Sequence, residues 1–454
     1  VSSSHYSQIQ GWNIISDSYD DALVTIQAAE EYNINHLQLS HDIVRDLCRL
    51  REEKKRNLVN LLIDKAHEAG IKDVVVWDHA LYDLDYYPER FKTGPDGTIN
   101  LDNSLFWEWF KNDYREMLNL VPNVDGLVLT FIETGARAEN QYSKNLTASE
   151  KLSAVVDAIA DVVCKEYGKK LFIRTFAYTQ AEYENIISCI DHIKSHDVIL
   201  MMKETPHDFF LTHPNNKYAG VIERPTIIEF DTSNEFNGQG IIANTWPQYI
   251  LNRWSEYIRF PNIVGYVART DRYGNTRLVG TPNEILLYAL KRYTEDPSLT
   301  AEHIYDEFIT DKYGIEALPY IKPAFKLAFD IVTSVLYTLG TNTANHSSLD
   351  YDPYKSSYGR HVSGKWIDPP VVYVTHGLNR EFHYWKDVIE HLSPARFKRK
   401  DGPLRVEAPF VLDSAWVTDQ ESMNEEYLRY VMIEKNYGVK LAEEALDRKS
   451  TRLN

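Results

Sequence analysis

Charged side chains follow apolar runs at several points of this sequence, where a buried strand would end. Glu133 closes the run Leu-Val-Leu-Thr-Phe-Ile-Glu. Lys203 closes Val-Ile-Leu-Met-Met-Lys, and Asp208 lies five residues further on. The run Thr-Ile-Ile-Glu-Phe is followed by Asp231 and Glu235. Charged groups delivered by separate buried strands are how a parallel α/β barrel assembles a site from its loops.

Glu133 is the candidate general acid. A carboxyl at the mouth of a barrel tends to be partly desolvated, which raises its pKa and suits proton donation. The structural alternative is a salt bridge from Glu133 to an Arg or Lys at the end of a neighbouring strand.

Asp208 and Glu235 follow two adjacent strands, so their carboxylates are candidates for holding and deprotonating a water molecule. Glycoside hydrolysis with inversion needs such a base roughly 6.5–9.5 Å from an acid, with the water between them. The structural alternatives are a turn or helix-cap role for Asp208 after Pro206, and a solvated loop charge for Glu235.

Arg174 and Lys203 are cations at predicted strand ends in an acidic protein. A guanidinium matches a carboxylate in shape, so these residues are candidates for binding a sugar acid. Alternatively, they pair with Glu133 or Asp208 and only hold the site in shape.

A second group of polar and aromatic residues is predicted to contact substrate. Histidines here could be catalytic or could bind a sugar hydroxyl, although a lone histidine is more often structural. An aromatic ring can stack on a sugar, although most large aromatics pack cores. No ligand spacing typical of a metal site stands out among the strand ends. The candidates are Asp78, His79, His207 and Trp246.

The elements that must position these residues alternate between buried strands and helices. Eight strands with intervening helices predict an α/β fold, a (β/α)8 TIM barrel, over residues 1–295. No glycine-rich phosphate loop follows the first strand, which favours a closed barrel over a doubly wound sheet. The predicted strands are 11–15, 36–40, 73–79, 125–133, 171–176, 198–203, 226–231 and 263–269.

The character of the chain changes after the barrel. Segments 298–314, 318–340, 381–392 and 423–446 have helical patterns, the first with Ser or Thr caps. We therefore expect a mostly α-helical C-terminal region over residues 296–454.

Composition excludes several classes of function. The 454 residues carry 49 Lys and Arg against 66 Asp and Glu, a net charge of −17, which disfavours a nucleic-acid surface. The three cysteines are too few and too widely spaced to imply a disulfide framework or a zinc motif. The sequence contains no run of about 18 apolar residues, so no membrane span is predicted.

The order of these motifs resembles the microbial α-glucuronidases of glycoside hydrolase family sixty-seven. The likeness covers roughly residues 100–315, and the rest more loosely. Leu129 stands where that family has a lysine near its acid. The matching stretches are Val124 to Glu133, Phe172 to Phe176, Met202-Lys203, Thr205-Pro206-His207-Asp208-Phe209, Glu229-Phe230, Asn234 to Gln239, and Asn283-Glu284 through Asp296 to Ile309.

The resemblance implies an inverting α-glucuronidase-like enzyme that removes an α-linked uronosyl unit from plant or microbial polysaccharide fragments. Glu133 would protonate the leaving oxygen, and Asp208 and Glu235 would activate the water. Arg174 and Lys203 would bind the substrate carboxylate. No metal or organic cofactor is implied. The expected partner is an oligosaccharide or polysaccharide fragment bearing an acidic sugar.

Two other functions stay open at this stage. A barrel of this kind can bind carbohydrate without catalysis, because fold does not settle function. Lys203 could instead form a Schiff base, as in a class I aldolase. The oligomeric state is also open, a dimer included, and a periplasmic or secreted location is expected ahead of a cytoplasmic one.

Overall fold

The computed structural model describes residues 4–177, 180–206, 208–211, 215–238, 240, 242–338, 341–342 and 425–450. The chain forms two compact units. The first comprises residues 1–203, 219–230 and 261–269, and the second comprises residues 204–218, 231–260 and 270–454.

The first unit contains a closed barrel of eight parallel strands, paired in chain order with the eighth strand returning to the first. This confirms the predicted (β/α)8 architecture. The strands are β1 (Ile9–Ile14), β2 (His36–Leu39), β3 (Asp73–His79), β4 (Gly126–Thr130), β5 (Lys170–Arg174), β6 (Val198–Lys203), β7 (Thr226–Phe230) and β8 (Ile263–Arg269).

Alternate residues of each strand point into the barrel, because successive side chains of a strand face opposite ways. Apolar side chains from seven of the strands fill the interior as one cluster. Both faces of the strands are buried, which explains why they read as continuous apolar runs. The interior cluster consists of Ile9, Val75, Trp77, Val128, Phe172, Met201, Ile227 and Val267.

The seam between β1 and β8 depends on a glycine. Gly265 pairs with Ile9, and a Cβ atom on Gly265 would lie 1.8 Å from the Ile9 carbonyl oxygen. Only a residue without a side chain permits this approach of the two backbones.

Five helices belong to the first unit. Ser18 caps the first helix, and Thr147 with Glu150 forms a capping box at the start of the fourth. These helices are α1 (Tyr19–Ala28), α2 (Glu53–Glu68), α3 (Ser104–Asn119), α4 (Ala148–Ala160) and α5 (Gln180–His192).

Within the described residues, five further α-helices belong to the second unit, and those from Ala301 onward confirm a helical C-terminal region. Thr300 caps the helix that begins at Ala301, as the sequence predicted, and its N3 partner is His303. The predicted helix at 381–392 lies outside the described residues. The helices are α6 (Pro247–Tyr257), α7 (Ile285–Glu295), α8 (Ala301–Tyr313), α9 (Leu318–Val335) and α10 (Glu425–Ser450), and a short hairpin of β9 (Tyr337–Thr338) and β10 (Thr341–Asn342) follows α9.

The main local differences from the sequence prediction fall at element ends. The fourth strand ends at Thr130, three residues before Glu133, and Glu133 has a left-handed backbone with φ of 66°. The helix that begins at Ala148 is α-helical to Ala160 and continues as a π-helical turn over Asp161–Glu166. Within the described residues, no helix is both long and apolar enough to cross a membrane.

Candidate functional site

Four charged side chains meet at the carboxyl end of the barrel, at the ends of β5 to β8. Arg174 holds Glu229 in a two-pronged pair, with Nε 2.7 Å from Oε2 and Nη2 2.9 Å from Oε1. Arg269 donates to the same Oε1 at 3.1 Å. Lys203 pairs in register with Glu229 on the neighbouring strand. All four side chains are buried, and we call this set (Arg174, Lys203, Glu229 and Arg269) the mouth cluster.

Aromatic rings support the cations of the mouth cluster. The Arg174 guanidinium lies 4.8 Å from the ring centres of both Trp77 and Phe176. The Lys203 ammonium lies 3.4 Å from the ring centre of Phe176. Cations over ring faces are stabilised by the ring quadrupole, and more strongly when water is excluded.

The cations keep Glu229 ionised despite its burial. Burial alone raises the pKa of a carboxyl, but the attraction of Arg174 and Arg269 outweighs it, and the pKa of Glu229 is lowered. Arg174 thus pairs with a carboxylate, as the structural alternative expected. Its partner is Glu229, however, and not Glu133 or Asp208.

A polar network fixes the ring of Trp77 beneath Arg174. Trp77 Nε1 donates to Gln38 Oε1 at 2.9 Å, and Asn13 Nδ2 donates to the same oxygen at 3.3 Å. The His41 ring packs on Trp77 with 4.9 Å between ring centres. The floor of the mouth cluster is thus held in place from β1, β2 and β3.

Glu133 lies beside a cleft of about 590 Å³ in the first unit. Its side chain is 39% exposed, so the desolvation expected from the sequence is not found. Arg45 donates to the Glu133 carbonyl oxygen at 2.6 Å and lies 3.7 Å from its carboxylate. Both ends of that ion pair are exposed, where such pairs contribute little. The cleft is lined by Arg45, Asp46, Cys48, Arg49, Tyr82, Asp83, Asp85, Tyr86, Glu133 and Thr134.

Asp208 and Glu235 lie on two loops of the second unit. Asp208 accepts the Phe209 amide at 3.0 Å on its side chain, and its carbonyl accepts the Thr205 hydroxyl at 2.9 Å. These bonds are those of a turn residue, as the structural alternative for Asp208 states. Its side chain is only half-buried.

Glu235 is buried, in contrast to the solvated loop charge that the alternative expected. Its carboxylate lies 3.4 Å from Arg272 Nη2, and its amide donates to Asp231 Oδ2 at 2.9 Å. Ser233 donates to the other oxygen of Asp231 at 3.0 Å. Asp231 therefore organises the loop that presents Glu235.

Tyr337 joins the two loops that carry Asp208 and Glu235. Its hydroxyl accepts the Leu211 amide at 3.0 Å and donates to Asn237 Oδ1 at 2.8 Å. Its carbonyl accepts a hydrogen bond from Lys435 of α10, which also bonds the Ser334 carbonyl at 2.9 Å. The last helix thereby helps to hold the residue that braces both loops.

Asp78 points away from the barrel interior, on the opposite face of β3 from Val75 and Trp77. Tyr82 and Tyr114 donate to its two oxygens at 2.8 and 2.6 Å, and the Leu47 amide donates at 2.8 Å. Burial raises the pKa of Asp78 to about 7, although the three donors pull it down. This is a buried structural carboxyl, which the mouth cluster does not include.

The remaining predicted site residues have different surroundings. His79 ends β3 and its Nδ1 lies 2.6 Å from Asp46 Oδ1. Trp246 is buried against Phe329 of α9, with 5.4 Å between ring centres, which is the packing of a core residue. His207 lies outside the described residues.

Sequence reasoning missed three residues that the geometry makes prominent. Arg269 ends an apolar strand just as Arg174 does, so the same pattern could have found it. Asp46 and Tyr337 are set by loop and tertiary geometry, and no local pattern marks them. Within the part of the chain that the structure describes, no group of three or more His, Cys, Asp or Glu side chains could hold a metal ion.

Comparison with known proteins gives structural neighbours only. No protein-family model matches the chain, and no curated protein matches its sequence. A glycoside hydrolase family 138 enzyme targeting pectin rhamnogalacturonan II is 13% identical, with a TM-score of 0.52 over 98% of this chain and 62% of that one. This chain thus spans less than two thirds of that enzyme's length.

Two further solved structures have TM-scores below 0.5. An O-GlcNAc hydrolase of Thermobaculum terrenum is 12% identical, with a TM-score of 0.46 over 98% of this chain and 91% of that one. A family 115 4-O-methyl-α-glucuronidase with specificity for decorated arabinogalactans is 10% identical, with a TM-score of 0.47 over 95% of this chain and 54% of that one. At these identities, what the chain shares with the family 138 glycoside hydrolase is its fold, and its reaction must be inferred from its own residues.

Proposed function

We propose that this protein is a glycoside hydrolase that removes an α-linked uronosyl unit from a plant or microbial polysaccharide fragment, with inversion. The observation that carries the proposal is the mouth cluster. It places three cations around one carboxylate at the end of a barrel where such folds bind their ligands. An anionic sugar approaching a protein of net charge −17 needs a local group of cations of this kind.

The pairing of Arg174 with Glu229 gives the cations of the mouth cluster different roles. Because Glu229 takes two donors of Arg174, the main role of Arg174 is to fix the geometry of the cluster. Lys203 offers a compact charge on a flexible stem, and a lysine binds an anion as a point charge. We assign Lys203 as the principal contact for the carboxylate of the sugar.

The catalytic roles follow the family resemblance. Glu133 is proposed to protonate the leaving oxygen, and Asp208 and Glu235 to position and activate the water.

The experiment that tests these roles compares two leaving groups. Glu133→Gln should lower kcat by about 10²–10⁴-fold on a glucuronic-acid-bearing oligosaccharide, whose leaving oxygen needs a proton. The same variant should keep most of its activity on a 4-nitrophenyl glucuronide, whose leaving group needs little protonation. Glu68→Gln, at an exposed position on α2, is the control and should leave both rates unchanged. Equal losses on the two substrates, or no loss on either, would remove Glu133 from the role.

Asp208 and Glu235 are tested by the stereochemistry of the product. The wild-type protein should release the β-anomer of the sugar acid first from an α-linked substrate, as observed by proton NMR within the first minutes. Asp208→Asn or Glu235→Gln should slow that release by about 10²-fold or more on both kinds of leaving group. Initial release of the α-anomer would contradict inversion.

A non-catalytic carbohydrate-binding barrel is the second candidate, and the exposed setting of Glu133 favours it. Sugar binding by calorimetry without cleavage across a panel of glycans would support it. The aldolase alternative is tested by trapping with borohydride and a carbonyl substrate, which should leave no adduct on Lys203.

A further inference from the structure

One ring nitrogen of His79, Nε2, is buried. The residue is 3% exposed, and its Nε2 has no hydrogen-bond partner among the residues that the structure describes. Native proteins pair nearly all their buried polar atoms, so each exception calls for an explanation.

The other ring nitrogen of His79 is held by Asp46. Nδ1 lies 2.6 Å from Asp46 Oδ1. A carboxylate oxygen accepts hydrogen bonds, so this contact favours the tautomer with the proton on Nδ1. In the neutral ring, Nε2 is then left with a lone pair and acts as an acceptor.

The alternation of β3 places His79 at the carboxyl end of the strand, on the face that points into the barrel. Val75 and Trp77 are in the interior cluster, and His79 follows in the same alternation at the carboxyl end of the strand. Trp77, two residues earlier, carries the Arg174 guanidinium over its ring. His79 therefore lies at the same end of the barrel as the mouth cluster.

His36 provides a contrast within the same barrel. It is also buried, and its Nδ1 also has no partner among the described residues. It begins its strand, however, and its ring packs on Phe172 with 4.9 Å between ring centres. Burial lowers the pKa of His36 to about 4, so it is a neutral core residue away from the carboxyl end.

We propose that His79 Nε2 accepts a hydrogen bond from a hydroxyl group of the bound sugar, and that Asp46 is the positioning residue that fixes its tautomer. This inference rests on the proposed carbohydrate substrate. It adds a hydrogen-bond acceptor at the carboxyl end of the barrel, where the mouth cluster also lies, so the site would recognise a hydroxyl as well as a carboxylate.

The first test observes the ring nitrogens directly. The full chain is labelled with ¹⁵N-histidine, and the His79 signals are identified by their loss in His79→Phe. The wild-type spectrum should show the Nδ1–H tautomer for His79. Addition of D-glucuronic acid or of xylotriose, a neutral oligosaccharide, should move the His79 Nε2 signal and leave those of His36 and His67 in place.

The second test changes the positioning residue. Asparagine can donate or accept, so Asp46→Asn should give a mixture of His79 tautomers and weaken sugar binding about 10-fold by calorimetry. The matched control is His67→Phe, because His67 makes a similar 2.6 Å pair with Asp125 and lies on α2. This control should bind the sugars as the wild-type protein does.

The outcomes separate this inference from the proposed function. If xylotriose binds and moves the Nε2 signal while glucuronic acid does not bind, the role of His79 stands and the uronosyl assignment fails. If glucuronic acid binds without moving that signal, or if Asp46→Asn leaves both tautomer and affinity unchanged, the inference is overturned. Absence of binding by either sugar overturns both.

Discussion

At the scale of single residues, the partners of a buried carboxyl decide what it does. Glu229 is buried among cations and has a lowered pKa, whereas Asp78 is buried among hydroxyl groups and has a raised one. The sequence shows both as acidic residues within apolar strands. The sequence could not show which side chains surround each carboxyl. Cations surround Glu229, a site residue, and tyrosine hydroxyl groups surround Asp78, a structural residue.

Asp78 should make stability depend on pH. Burial raises its pKa to about 7 from an ordinary value of 3.8, so the folded protein favours the protonated form. The stability this contributes is fully present below about pH 4 and is lost as the pH rises to about 7. The shift corresponds to about 4 kcal/mol.

The measurement is urea unfolding of the wild-type protein and of Asp78→Asn between pH 4 and pH 8. The amide does not titrate, so the difference in unfolding free energy between the two proteins should shift in favour of the variant as the pH rises. A difference that stays constant across this range would show that Asp78 has its ordinary pKa.

At the scale of elements, backbone contacts and loop braces set the geometry. The sequence analysis located all eight strands because apolar runs of four to seven residues between helical patterns are a strong local signal. The end of β4 was placed three residues too late, because Phe131 and Ile132 are apolar but lie outside the strand.

The barrel seam gives a prediction for Gly265. Gly265→Ala should destabilise the protein strongly, by about 3 kcal/mol or more, since its Cβ would overlap the Ile9 carbonyl oxygen and force the strands apart. Gly70→Ala is the control, because Gly70 has φ of 88° but no atom within 4 Å of an added Cβ. It should cost only about 1 kcal/mol of backbone strain. Similar losses for the two variants in thermal unfolding would refute the role of the seam.

The loop brace gives a prediction for Tyr337. Tyr337→Phe removes the hydroxyl that joins the Leu211 amide to Asn237, so the loops carrying Asp208 and Glu235 should become more mobile. We expect faster hydrogen exchange at residues 208–211 and a fall in kcat with little change in KM. Exchange in α8 serves as the internal reference. Unchanged exchange at those loop amides would show that the brace does not hold them.

At the scale of the whole molecule, the sequence indicated the fold class and the sign of the charge, but it could not indicate how charges combine. The overall charge of −17 does not reveal the buried basic site. Its cations, Arg174, Lys203 and Arg269, come from three different strands and meet only in the folded barrel. The resemblance to α-glucuronidases pointed to Arg174 and Lys203. Their arrangement around Glu229 depends on the barrel register, which no single stretch of sequence encodes.

The central claim is that the mouth cluster binds the carboxylate of a sugar acid, and calorimetry with two monosaccharides tests it most directly. The wild-type protein should bind D-glucuronic acid about 10-fold or more tightly than D-glucose, since a charged hydrogen bond contributes about 1.5–3 kcal/mol. Lys203→Met keeps the apolar stem and removes the charge, so it should abolish that preference. Equal affinity of the wild-type protein for the two sugars, or an unchanged preference in Lys203→Met, would contradict the account.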